Sequence, residues 1–277
     1  MRSPERWTLA DRARLSGAGN GGTALPARPE RPELLAPRDV PRRRPGTPAG
    51  RLALLHAVAH IELNAVDLHW DILARFAHVP MPMGFYDDWV KAADEESKHF
   101  NLICDCLEAM GSHYGALPAH AGMWRAAEDT TDDLMGRLAV VPMVLEARGL
   151  DVTPGMIAVF EAAGDDAGST GAVAALKTIY AEEVGHVAYG SKWFHFLCGR
   201  EDRDPKEVFH ALVRRYLHGS LKPPFNEAKR AQAGLPPDFY WPLAEAPVSG
   251  PGAAPASSAG ICPNSPSRGP AGIRQPK

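Results

Sequence analysis

Cysteine is scarce in this chain: four residues in 277, at positions 104, 106, 198 and 262, with no CxxC pair. That excludes a disulfide framework and a rubredoxin-like CxxC…CxxC metal site, and it fits a reducing cytoplasm. Cys104 and Cys106 are two apart on an expected helix, so they point in different directions and make poor joint ligands. Long apolar runs are also missing, and no stretch of about 18 apolar residues is available to cross a bilayer. The first residues lack the basic-then-apolar order of a signal peptide, because Glu5 and Asp11 interrupt it. A cytoplasmic protein with no membrane partner is expected. Strand-like alternation is absent as well. Between the two ends of the chain the apolar residues recur at helical spacing, and Ala, Leu, Glu and Arg dominate. The expected fold is all-α.

What is present is unevenly spread. The net charge is −3, yet residues 1–51 carry eleven Lys/Arg against five Asp/Glu. This Pro-rich head ends in Arg42-Arg43-Arg44-Pro45; an arm lying along an acidic domain explains it better than a nucleic-acid contact. From about 246 the chain is Pro, Gly, Ala and Ser, the composition of a disordered tail. The expected organisation is a flexible N-terminus (1–24), one domain with its arm (25–243) and a tail (244–277).

Helices are expected at about 50–78, 83–110, 123–149 continuing through 154–163, 170–198 and 206–217. Val79-Pro80-Met81-Pro82 ends the first, because proline lacks an N–H and restricts its predecessor. The cluster from Gly164 to Gly168 is a turn. Gly149 to Pro154 reads as a milder break, with Thr153 as N-cap and Pro154 at the first helical position. Pro142 should free a backbone carbonyl and kink the helix just before Glu146.

Four glutamates stand where water should not reach. The residues three, four and seven positions from Glu62, Glu96, Glu146 and Glu183 are overwhelmingly apolar, and none is Lys or Arg. A buried carboxylate costs several kcal/mol or more unless compensated. Four together call for shared positive charge, and two divalent ions balance four carboxylates. Two of the four also begin Glu-x-x-His: Glu96 with His99, and Glu183 with His186. On a helix such residues share one face and can bind one ion. The set matches the pattern of di-iron and di-manganese bundles, one Glu from each of two helices and Glu-x-x-His from each of two others.

Spacing sharpens the match. Glu-x-x-His alone arises about once by chance in a chain this long, and a third copy, Glu207 with His210, follows Asp204-Pro205. Glu207 there suits a helix N-terminus, and that copy reads as structural. By contrast, Glu62 and Glu96 are equidistant from the Val79–Pro82 breaker, and Glu146 and Glu183 from the Gly164 turn. Each pair meets at mid-height of a helical hairpin. A crossover at residues 112–128 must then climb about 48 Å, within the roughly 56 Å that seventeen extended residues reach. His69, two turns from Glu62, is either a support to the ligands or a core histidine. Tyr180 reads as core packing, and Arg148 either screens the site or faces solvent.

At these residues the chain resembles the bacterial ferritin-like proteins catalogued as domain of unknown function 455. The likeness is carried by Gly50 through Glu62, Asp94-Glu95-Glu96-Ser97-Lys98-His99-Phe100, Val144-Leu145-Glu146-Ala147-Arg148-Gly149-Leu150-Asp151, Glu182-Glu183-Val184-Gly185-His186-Val187 and Lys222-Pro223-Pro224-Phe225-Asn226. It covers about 25–243. The resemblance implies a ferritin-like four-helix bundle and metal ligands at Glu62, Glu96, His99, Glu146, Glu183 and His186; it implies no activity. Carboxylate-rich sites with one imidazole per metal favour two iron ions, with manganese as the alternative. The expected function is an oxidase or oxygenase that activates dioxygen or peroxide on a small-molecule substrate; the alternative is iron binding and ferroxidase-type handling. With no rubredoxin-like appendage, an oxygenase would need a separate electron-donor protein. Nucleic acid is not the expected partner, and a homo-oligomer is left open.

Overall fold

The computed structural model describes residues 29–120, 122–164 and 168–244. The expected flexible N-terminus and the tail beyond residue 244 lie outside them. The described chain is predominantly helical. Helix α1 spans Pro48–Arg75 and α2 spans Met83–Ala109; the Val79–Pro82 breaker separates them and they pack along their length. Next come α3 (Gly122–Asp129), α4 (Leu134–Val140), a π turn (Val141–Glu146) and α5 (Ala147–Glu161). Helix α6 (Ser169–Arg200) packs on both α5 and α2. Three further helices, α7 (Pro205–Tyr216), α8 (Glu227–Gln232) and α9 (Pro237–Ala244), follow.

The helix starts follow local chemistry. Thr47 caps α1, its hydroxyl accepting from the Gly50 amide, with Pro48 in the first turn, where no N–H is missed. Asp204 caps α7 in the same way through the Glu207 amide. Two expectations need correction. The helix expected from 123 is interrupted at 130–133: Thr130 turns its hydroxyl back onto the Ala126 carbonyl, and Asp133 caps a new helix through the Gly136 amide. The break expected at Gly149–Pro154 does not occur. Thr153 bonds the Gly149 carbonyl from inside α5, and Pro154 is carried within that helix. Its missing N–H leaves the Leu150 carbonyl without its helical donor, and the Asn226 side-chain amide donates to that carbonyl instead. Helices α8 and α9 were not expected, being too short to show a period.

The segment between α2 and α4 runs up the side of α1. Contacts mark its ascent: the Gly115 amide donates to His56, His60 bonds Tyr114 and the His120 carbonyl, and Leu68 packs with Trp124. Near the top the buried guanidinium of Arg137 pairs with Asp71 and donates to Thr130 and the Ala127 carbonyl. On the way, Ala119–His120 (β2) forms a two-residue parallel pairing with Leu34–Leu35 (β1) of the arm. At Leu34–Leu35 the described part of the arm is thus fastened to the segment between α2 and α3. These two short strands form the one sheet among the described residues.

Candidate metal centre

Each candidate ligand is brought inward by its helix. Glu62 comes from α1, Glu96 and His99 from α2, Glu146 from the π turn, and Glu183 and His186 from α6; all six are buried. The π turn answers to Pro142. With no N–H to give, Pro142 leaves the ladder one bond short, and the Ala147 amide reaches back five residues to the Pro142 carbonyl. The extra residue widens the turn just before Glu146. Gly190 of α6 makes room for it: a Cβ at that glycine would sit 2.5 Å from the Pro142 ring.

The ligand atoms converge. His99 Nδ1 lies 3.5 Å from Glu62 Oε2, 3.3 Å from Glu96 Oε2 and 3.8 Å from Glu183 Oε1. His186 Nδ1 lies 2.9 Å from Glu96 Oε1 and 3.7 Å from Glu183 Oε2. Glu96 and Glu183 therefore each turn one oxygen toward His99 and the other toward His186. Atoms within 4.8 Å of one another form three overlapping groups: Glu62, Glu96, His99 and Glu183; Glu146, Glu183 and His186; and His69, Glu96 and His186. Each group could hold a metal ion. Both Glu146 oxygens, His186 Nδ1 and His69 Nε2 are buried without a hydrogen-bond partner. Orphaned buried acceptors of this kind cost about 1–3 kcal/mol each, and a cation among them removes the penalty. The donor set fits a hard or borderline divalent ion.

Two residues beyond the six were not assigned a role from the sequence. Glu182 Oε2 lies 2.8 Å from His99 Nε2, and Glu95 Oε2 lies 3.1 Å from His186 Nε2. A carboxylate accepts, so each imidazole donates from Nε2 and directs Nδ1 inward. The arrangement is exchanged between helices: Glu182 of α6 orients His99 of α2, and Glu95 of α2 orients His186 of α6. Lys98 and Lys91 at the surface in turn pair with Glu182 and Glu95. The sequence did hold the signal, since both motifs read Glu-Glu-x-x-His. His69 also proves to face the cluster.

Without an ion, protons balance the cluster. Burial, reinforced by neighbouring carboxylates, raises the pKa of Glu62, Glu146 and Glu183. For Glu96 burial pushes the same way but is outweighed by His186 and His99, so its carboxyl is held well below the usual range. Burial would neutralise His99, yet Glu62 and Glu96 raise it to about 10, and His186 is likewise raised by Glu96 and Glu183. Burial lowers His69 to about 4.

A cavity of about 230 Å³ opens beside the cluster between α1, the π turn, α5 and α6. Ile61, Ala65, Leu145, Met156, Leu176 and Ile179 line it, and Glu62, Glu96, Glu146 and Glu183 form its floor. Other expectations resolve simply. Arg148 donates to the carbonyls of Lys222 and Pro224, and Tyr180 Oη accepts from Asn226, so both fasten the segment after α7. Asn226 and the buried Arg230 both bind Asp151. The Lys222–Asn226 motif is thus a clasp on the outside of α5. Glu207 is exposed, and His210 Nε2 meets the Asp238 and Phe239 carbonyls, far in kind from a ligand.

Comparison with known proteins places the chain in a family. The model described as protein of unknown function (DUF455) matches residues 4–241. The chain belongs to this family. A relative from Haemophilus influenzae, described as an uncharacterized protein, is 40% identical over 216 residues, covering 76% of this chain and 74% of its own. No solved structure matches significantly. Among the described residues no helix is long and apolar enough to cross a membrane.

Proposed function

We propose that this DUF455 protein is a ferritin-like di-metal carboxylate protein, with two ions of iron or manganese, acting as an oxidase or oxygenase on a small molecule. One observation carries the reading: the two carboxylates of Glu96 and Glu183 each span two imidazole-bearing positions, deep in the helical core. Such carboxylates would serve both ions. Glu62 and His99 complete one position, and Glu146 and His186 the other. The four long helical segments, α1, α2, α4 to α5 and α6, then form the bundle, with residues 112–133 as its crossover.

Bound there, the ions would supply activation of dioxygen or peroxide. The chain's own part is positional and electrostatic. Glu95 and Glu182 fix the imidazoles so that no rotation is needed on binding. The four inner carboxylates draw two divalent cations, and the charges then balance, so the cavity walls rather than net charge select the organic substrate. The apolar walls of the cavity suit a small hydrophobic molecule and keep bulk water from the cluster.

That cavity favours an organic substrate over metal handling, for which ions would have to cross apolar walls. The two differ in stoichiometry of turnover. Protein given excess Fe(II) in air should oxidise about two Fe(II) per chain and then stop, developing ligand-to-metal charge-transfer absorption. Continued oxidation of many Fe(II) per chain would favour metal handling, and no oxidation at all would refute the redox reading.

A further inference from the structure

His69 stands outside the six-residue set, and its geometry is unusual for a core histidine. Its Nδ1 lies 2.7 Å from the Ala65 carbonyl, one turn back on α1. A carbonyl accepts only, so the neutral ring carries its proton on Nδ1 and presents a lone pair at Nε2. That atom is buried and has no hydrogen-bond partner. Its nearest charged neighbour is Glu146 Oε1 at 3.5 Å, itself an acceptor without a donor. The ring meets Trp89 and His186 in T-shaped contacts, and neither ring hydrogen-bonds Nε2. Lone pairs facing lone pairs in a dry interior repel unless a proton or a metal ion lies between them, and 3.5 Å is long for a bond through a proton. A ring nitrogen of His69 also lies within 4.8 Å of ligand atoms of Glu96 and His186.

We infer that His69 is a seventh protein ligand, binding through Nε2 the same ion as Glu146 and His186. The inference rests on the di-metal reading above and adds an asymmetry to it. The Glu146 side would have five protein donors: two imidazoles, Glu146, and one oxygen each from Glu96 and Glu183. The Glu62 side would have four, with a single imidazole. The ion beside Glu62 and His99 therefore keeps more room for an exogenous ligand, and the nitrogen-richer ion is the more firmly held.

Proton NMR of the full chain loaded with Co(II), in water and with ¹⁵N-labelled histidine, tests this. An imidazole bound to Co(II) shows a strongly displaced ring N–H, visible where a hydrogen bond slows its exchange. Three such signals are expected: His69 Nδ1–H on Ala65, His99 Nε2–H on Glu182, and His186 Nε2–H on Glu95. His69→Gln should remove one signal, leave two, and weaken one of the two Co(II) sites at least about tenfold. Glutamine can still hydrogen-bond Glu146, so a purely structural His69 would leave the signals and the affinity unchanged. Two signals in the unaltered protein would overturn the inference and leave the two-ion centre standing. No bound Co(II) and no displaced signals would overturn both. Counting signals in the unaltered chain needs no variant, so a misfolded His69→Gln would not remove the test.

Discussion

The chain contains Glu-x-x-His three times, and two of the copies live in a different world from the third. Glu96–His99 and Glu183–His186 are buried face to face on α2 and α6, each imidazole oriented by a carboxylate from the opposite helix. Glu207–His210 opens α7 at the surface, where Glu207 sits in a capped first turn and His210 serves two backbone carbonyls. Identical local spacing gives unlike chemistry. What separates them is the company: facing glutamates from other elements, exclusion of water, and a second carboxylate behind each ring.

The largest expected difference is in metal loading. Glu183→Ala or His186→Ala should strip at least one ion per chain, whereas Glu207→Ala and His210→Ala should leave metal content unchanged, as read by elemental analysis. A requirement for the 207–210 pair would undo the contrast. Next in size is the outer layer. Glu95→Gln and Glu182→Gln should each weaken metal binding by about 10–100-fold, measured by competition with a chelator. Equal affinity in both variants would mean the carboxylates behind the rings are ordinary surface groups.

A smaller effect should appear in the metal-free protein's stability. Glu62, Glu146, Glu183 and His99 all have raised pKa values when folded, the last to about 10. Their contribution is complete below the unfolded values, about 6.5 for His and 4.3 for Glu, and is lost as pH rises through the folded ones. His69, lowered to about 4, acts oppositely and costs stability as pH falls from 6.5 toward 4. The metal-free melting temperature should therefore fall between pH 7 and 10, less so in loaded protein. Glu62→Gln should stabilise the metal-free form near pH 7, by on the order of 1 kcal/mol, while weakening metal binding. A metal-free melt flat from pH 7 to 10, with Glu62→Gln neutral, would mean these glutamates are paired elsewhere. The smallest effect belongs to the third motif's cap: Asp204→Ala should cost about 1 kcal/mol and change metal content not at all.

Much of this was legible because burial and period leave strong traces. A glutamate amid apolar neighbours at offsets of three, four and seven is conspicuous, and prolines at 80 and 82 end a helix without ambiguity. The interruption at Thr130–Asp133 was harder to see, since it depends on one hydroxyl and one cap competing with an otherwise continuous pattern. Pro154 misled in the other direction: it resembles a helix start, yet it lies inside α5, where distant Asn226 donates to the carbonyl that it leaves free. Helices α8 and α9 carry no period long enough to read, and are held by Arg230, which reaches Asp151 across 79 positions of sequence. The roles of Glu95 and Glu182 were within reach. A doubled glutamate puts the second carboxylate about 100° around the helix, where it can meet a neighbouring helix's histidine. His69 needed coordinates, because its tautomer is set by a backbone carbonyl.

The account's central claim is that four buried glutamates exist to hold two cations. Equilibrium loading of the metal-free chain with Fe(II) under nitrogen, followed by elemental analysis, addresses it most directly. The result expected is close to two ions per chain, falling in Glu62→Gln and unchanged in Glu207→Ala. One ion per chain, none, or equal loading in Glu62→Gln would contradict it.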